Sequence, residues 1–182
     1  MSELEALRER LVDPMKDIKL NLSSVLAEGG ALDAAQRWGV ALASAAASRH
    51  APLTAAVLSD ARAQVSAAVI EDALAAASLM AMNNVFYRFR HLVGKASYAD
   101  LPARLRMTRI ARPATNKMDF ELFCLAVSAI NACENCIRAH EDAVVNGGLT
   151  QAHVQDAIRI ASTLHAAAVS LEIADVITPA EG

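Results

Sequence analysis

The stretch GGLTQAHVQDAIRIASTLHAAAVSL, residues 147–171, decides the fold class. Two glycines stop the segment before it, and Thr150 offers a side-chain oxygen as an N-cap. Val154, Ile158, Leu164 and Leu171 then recur at spacings that fit one long amphipathic helix. Working outward, breakers at Asp13-Pro14, Glu28-Gly29-Gly30, Ala51-Pro52, Gly94, Leu101-Pro102, Arg112-Pro113, Gly147-Gly148 and Thr178-Pro179 divide the chain into long helical segments. Asp33 is placed to cap a helix that begins near Ala34, and almost nothing between the breakers reads as a strand.

Hydrophobic residues make up 54% of the 182 residues and aromatics only 4%, because alanine dominates. Helices packed closely through small side chains are expected, in an all-α, multihelical fold forming one domain over residues 1–182. A net charge of −3 argues against the broad basic surface that nucleic-acid binding needs. Met1 to Lys16 carries Glu3, Glu5, Arg8, Glu9, Arg10 and Asp13 and lacks the apolar core of a secretory signal, so a cytoplasmic location is expected. Val40 to Ala47 is apolar, yet Arg37, Arg49 and His50 bracket it too closely for the roughly 18 to 20 residues of a membrane span. In a reducing compartment, a close pair among three cysteines reads as redox-active or metal-binding rather than as part of a disulfide framework.

An offset of 84 residues brings two parts of the chain into register. Ser44-Ala45 meets Ser128-Ala129, Asp72-Ala73 meets Asp156-Ala157, and Ala77-Ser78 meets Ala161-Ser162. Leu53, Ile70 and Leu74 fall on Ile137, Val154 and Ile158. The pattern predicts an internal helical repeat, about residues 34–84 and 118–168. At that offset Cys133, Cys136 and His140 meet Arg49, Pro52 and Ala56, which cannot do thiol chemistry. The second copy is therefore expected to hold the site and the first to be scaffold.

The segment Asn131-Ala-Cys133-Glu-Asn-Cys136-Ile-Arg-Ala-His140 carries C-x-x-C followed by x-x-x-His, after a break expected around Ile130 and Asn131. On a helix, residues three apart rise about 4.5 Å and share a face, within the roughly 4.4 to 6.8 Å Cα separation a disulfide tolerates. His140 shares that face and can take or return a thiol proton. A thiol at a helix N-terminus is shifted toward thiolate, which favours Cys133; proximity to His140 favours Cys136, and geometry leaves the attacking sulfur open. If the chain turns back between Ile130 and Asn131, Glu121 and His140 both lie on the order of 15 Å from the turn, on facing helices. A carboxylate there would orient the imidazole as a triad acid orients its base.

Rival readings use the same residues. Cys133, Cys136, His140 and Glu121 could supply four zinc ligands, though ligands one turn apart on a single helix are a less usual zinc arrangement. The thiols would equally serve a scaffold that works by disulfide exchange, and a decarboxylase-like enzyme would ignore them. Cys124 reads as a small core hydrophobe, and His50, His91, His153 and His165 as structural or surface groups. Arg104, Arg106, Arg109, Arg112 and Lys117 read as a solvated face or a dock for an acidic partner, and Met80, Met82, Phe86 and Phe89 as core or subunit interface. Asn83, Asn84, Tyr87 and Arg88 form a polar patch with no assigned role. No resident cofactor or metal is expected.

At these residues the chain resembles the alkyl hydroperoxidase D (AhpD) family of the carboxymuconolactone-decarboxylase-like superfamily. The segments that carry the resemblance are Lys16 to Ser24, Leu42 to Ala47, Met82 to Arg88, and above all Phe120-Glu121 through Asn131 to Cys133, Cys136 and Ala139-His140-Glu141, with Glu-x11-Cys-x2-Cys-x3-His spacing. The resemblance implies an antioxidant peroxidase, commonly a homotrimer, that reduces hydroperoxides and can recycle a partner peroxiredoxin. Electrons would come from dihydrolipoamide on a lipoyl-bearing acyltransferase. It further implies that Cys136 becomes the sulfenic acid, that Cys133 donates a proton and then closes the disulfide, and that Glu121 and His140 relay protons. Where such proteins carry a second histidine this chain has Asn135, which cannot carry a proton at neutral pH. A shorter relay or a bridging water is expected, with slower turnover or a shifted pH optimum.

Overall fold

Two segments are apolar on nearly every side, and a helix of that kind can only sit among other helices. They are α3, Ala34–Ala47, and α8, Lys117–Ile130. Every residue from Gly39 to Ala45 and from Asp119 to Ser128 is buried. The computed structural model describes residues 2–177, so the break at Thr178-Pro179 lies outside the described residues. Around the central pair run α1 (Glu3–Glu9), α2 (Lys16–Val25), α4 (Ala51–Arg62), α5 (Ala67–Val93), α6 (Ala96–Ala99), α7 (Thr108–Ala111), α9 (Glu134–Asn146) and α10 (Gln151–Ile177), with a 3-10 turn at Asp13–Met15. No strand occurs among the described residues.

The helices α5 and α10 flank the α3–α8 pair on both sides, α4 lies on α3, and α9 lies on α8 and α5. Small side chains set the close approach. A Cβ on Gly39 would stand 2.1 Å from the Phe123 ring, so that ring packs directly on the α3 backbone. Phe120, Leu122, Phe123, Leu125 and Val127 are all 1% exposed or less, each stabilising the fold by roughly 1.5 to 3 kcal/mol through burial. By length and composition alone, α10 is long and apolar enough to cross a membrane. Half of its most apolar window is buried in the bundle, against α2, α3 and α8, as in a core helix.

The helices fall into two blocks of 14, 12 and 27 residues (α3, α4, α5) and 14, 13 and 27 residues (α8, α9, α10). Each block grips the entrance of the other. Asp156 on α10 accepts from the Ala31 N–H at 2.8 Å ahead of α3, and Asp72 on α5 accepts from the Ala114 N–H at 2.9 Å ahead of α8. Asp33 and Asn116 cap α3 and α8 by accepting from the Gln36 and Asp119 amides, and Gln36 Nε2 donates to Asp119 Oδ1 at 2.9 Å. Ala31 and Ala114, Asp33 and Asn116, and Gln36 and Asp119 are each 83 residues apart, whereas Asp72 and Asp156 are 84 apart. The single offset of 84 read from the sequence is thus off by one through the first two helices, because α9 is one residue longer than α4. The blocks also extend to Val93 and Ile177, beyond the ends expected at 84 and 168.

Asp72 is fully buried. Burial pushes its carboxyl up, and hydrogen bonds from Ala114, from the Thr115 N–H and hydroxyl, and from Arg109 outweigh that and hold it below the ordinary aspartate range. Arg109 bridges Asp72 and Glu71 at 2.8 Å each and so fastens the short helix α7 to α5. That cation, read from sequence as part of a basic face, is an internal tie.

Candidate active site

The site forms where α8 turns into α9. The Asn131 amide still bonds to Val127 O, Ala132 takes a left-handed φ of 53°, and the Cys133 N–H reaches back to Ser128 O at 3.2 Å. Cys133 thereby becomes the N-cap of α9, with no side-chain capping bond of its own. The polar patch on α5 clamps this turn. Asn84 Nδ2 donates to Ser128 Oγ at 2.9 Å, Asn131 Nδ2 donates to Asn84 Oδ1 at 3.0 Å, and Arg88 donates to the Asn131 carbonyl.

Cys133 and Cys136 are joined as a disulfide with Cα atoms 5.3 Å apart. Cys133 is wholly buried, and Cys136 keeps 7% of its surface. His140, one turn beyond Cys136, shares a 2.6 Å hydrogen bond between its Nδ1 and Glu121 Oε2. Glu121 is 6% exposed on the inner face of α8, so the carboxylate fixes the ring while Nε2 stays available to another group. The hairpin inferred from sequence therefore sets Glu121 against His140, one turn beyond the Cys133–Cys136 pair. Among the described residues no three His, Cys, Asp or Glu side chains converge as a metal ion would require.

A cavity of about 240 Å³ opens on one side of this cluster, lined by Asn83, Tyr87, Met107, Ile110, Asn135, Cys136, Ala139 and His140. Cys136 reaches it and Cys133 does not, so a small molecule entering meets the second sulfur first. Cys124 is fully buried; burial and then the charges of Glu121 and Asp72 push its thiol well above the ordinary range, so it stays protonated. His50 caps α4 by accepting from the Leu53 amide, His153 meets Thr150, His91 meets Glu134 and His165 meets Ser48. None of these lines the cavity. Met107 and Ile110 escaped the sequence reading; their only signal is two apolar residues spaced within an arginine-rich segment. Phe89, assigned there to core or interface, is 51% exposed.

A relative from Anaeromyxobacter sp. (strain K), named alkyl hydroperoxide reductase AhpD, is 65% identical over 174 residues, covering 96% of this chain and 93% of its own. The chain belongs to the AhpD family. AhpD proteins from Gluconacetobacter diazotrophicus and Rhodospirillum centenum are 48% and 44% identical, over 93% and 98% of this chain and 92% and 96% of theirs. The carboxymuconolactone decarboxylase family matches residues 96–178, the part that holds Cys133, Cys136 and His140.

Proposed function

We propose that the protein is a thiol peroxidase that reduces organic hydroperoxides through a Cys133/Cys136 dithiol–disulfide cycle. The observation that carries this reading is a cavity that meets Cys136 and a histidine, His140, whose Nδ1 is held by buried Glu121. The Cys136 thiolate attacks the distal peroxide oxygen, the O–O bond breaks, and sulfur is oxidised by two electrons to the sulfenic acid. The departing alkoxide takes a proton passed along Glu121 and His140 and leaves as the alcohol. The Cys133 thiol then displaces water from the sulfenic acid, giving the disulfide, and an external dithiol returns it to two thiols.

Family membership extends the proposal to partners. Dihydrolipoamide on an acyltransferase is the donor, a peroxiredoxin is a second electron acceptor, and the setting is the cytoplasm. The assembly is a homotrimer; Val85, Phe89 and Leu92, exposed along one face of α5, support a subunit contact there. We read the two three-helix blocks as copies of one motif, supported by their reciprocal aspartate locks, with the chemistry kept in the second copy. The test is peroxide consumption with free dihydrolipoamide as donor. Sustained turnover that stops in Cys136→Ser supports the reading, and turnover that survives loss of both thiols overturns it in favour of a decarboxylase-like site.

A further inference from the structure

Asn83 and Asn84 stand side by side on α5, yet only one is used by the fold. Asn84 spends its amide on Ser128 and Asn131. Asn83 is 4% exposed, lines the cavity with Cys136 and His140, and its Oδ1 has no hydrogen-bond partner. A buried acceptor left unpaired is costly and is retained where a donor arrives during function. Its neighbours in the cavity are apolar (Met107, Ile110, Ala139), aromatic (Tyr87), the amide of Asn135, and Cys136 with His140.

Resting on the peroxidase reading above, we infer that the Asn83 carbonyl oxygen accepts the hydroperoxide O–H and holds the distal oxygen against Cys136. The proton it binds is never transferred. It sits on the distal oxygen of R–O–O–H before attack and on the same oxygen of Cys136 S–O–H afterwards, so one hydrogen bond serves both states while the leaving alkoxide takes its proton from the His140 side. The alkyl group then points toward Met107 and Ile110, carried by the α7 segment that Arg109 ties to α5. The substrate class is accordingly a hydroperoxide with a compact apolar group. Hydrogen peroxide is not much larger than water, whose share of liquid volume is about 30 Å³, and leaves most of this space unfilled.

The test uses reduced full-length protein, wild type, Asn83→Ala and Asn83→Leu, with tert-butyl hydroperoxide and hydrogen peroxide. Three readouts are taken: the second-order rate of Cys136 oxidation, the rate of Cys136 alkylation by iodoacetamide across pH, and thermal stability. Loss of the acceptor should slow oxidation by tert-butyl hydroperoxide roughly tenfold or more. Alkylation should keep its rate and pH profile, and Asn83→Leu should melt no lower than wild type because an unpaired polar group has been removed. Wild type should oxidise faster with tert-butyl hydroperoxide than with hydrogen peroxide. Oxidation rates unchanged in both variants, or falling only in step with alkylation and stability, would overturn the inference. Wild-type thiols inert to both peroxides would instead overturn the peroxidase reading on which it rests.

Discussion

The α3–α4 junction and the α8–α9 junction have the same backbone and opposite chemistry. In each a non-glycine residue adopts a left-handed conformation, Arg49 with φ 61° and Ala132 with φ 53°, and the next residue becomes an N-cap, His50 or Cys133. In each the N-cap carbonyl accepts the first helical bond, from Thr54 or Ile137. Counting 83 residues back from Cys136, His140 and Glu121 gives Leu53, Val57 and Trp38. Leu53 and Val57 are fully buried in aliphatic packing, whereas Cys136 and His140 line a cavity. The described residues contain this tight helix start twice, and only the second carries the thiol pair and the Glu121–His140 contact on which the proposed chemistry rests.

The strongest way to break this contrast is to swap function for packing at equivalent positions. Cys136→Ser is expected to abolish peroxide turnover with the helical spectrum and melting temperature near wild type. Leu53→Ala should cost about 2 to 5 kcal/mol of stability while the folded fraction keeps its activity. Steady-state assays beside urea melts check both.

The aspartate locks come next. Asp72→Ala removes a fully buried carboxylate with five bonds and should cost about 3 kcal/mol. Asp156→Ala should cost about 1 kcal/mol, since that side chain is 22% exposed and makes fewer bonds. The Asp72 carboxyl is held below its ordinary range, so the native state binds fewer protons than the unfolded chain. Its contribution is complete above the ordinary aspartate value and is lost as pH falls through the lowered one. Urea melts of wild type and Asp72→Ala should therefore converge in acid and stay apart at neutral pH.

Smaller effects follow at the relay and at the silent junction. Glu121→Gln should lower kcat/KM about 10²-fold, because an amide replaces the carboxylate that holds the His140 ring. His50→Ala removes the N-cap of α4 and should cost about 1 kcal/mol, with turnover unchanged.

Much of this contrast is legible in the sequence because it is local. The breakers, the Asp33 cap and the Cys133, Cys136, His140 spacing depend on residues within a turn or two of each other, and Glu121 follows once a hairpin is assumed. The register slip was hidden because the extra residue falls within α9, and against the alanine-rich α3, α4 and α5 a one-residue shift changes few identities. The Asp72 and Asp156 locks join residues of different blocks, and nothing near either aspartate in sequence announces its partner. Asn84 and Arg88 could be noticed as polar but not read, since their work depends on how α5 lies against the turn after α8. Arg109 looked like surface charge because its two carboxylates are far away in the chain.

The most direct test of the central claim is a single-turnover reaction of the fully reduced protein with one equivalent of tert-butyl hydroperoxide, followed by thiol counting and intact mass. Wild type should lose two of its three thiols, because buried Cys124 stays out of reach. Cys133→Ser should gain one oxygen, trapped as sulfenic acid on Cys136, and Cys136→Ser should remain unchanged. A sulfenic acid on Cys133 with Cys136 intact, or three surviving thiols in the wild type, would contradict it.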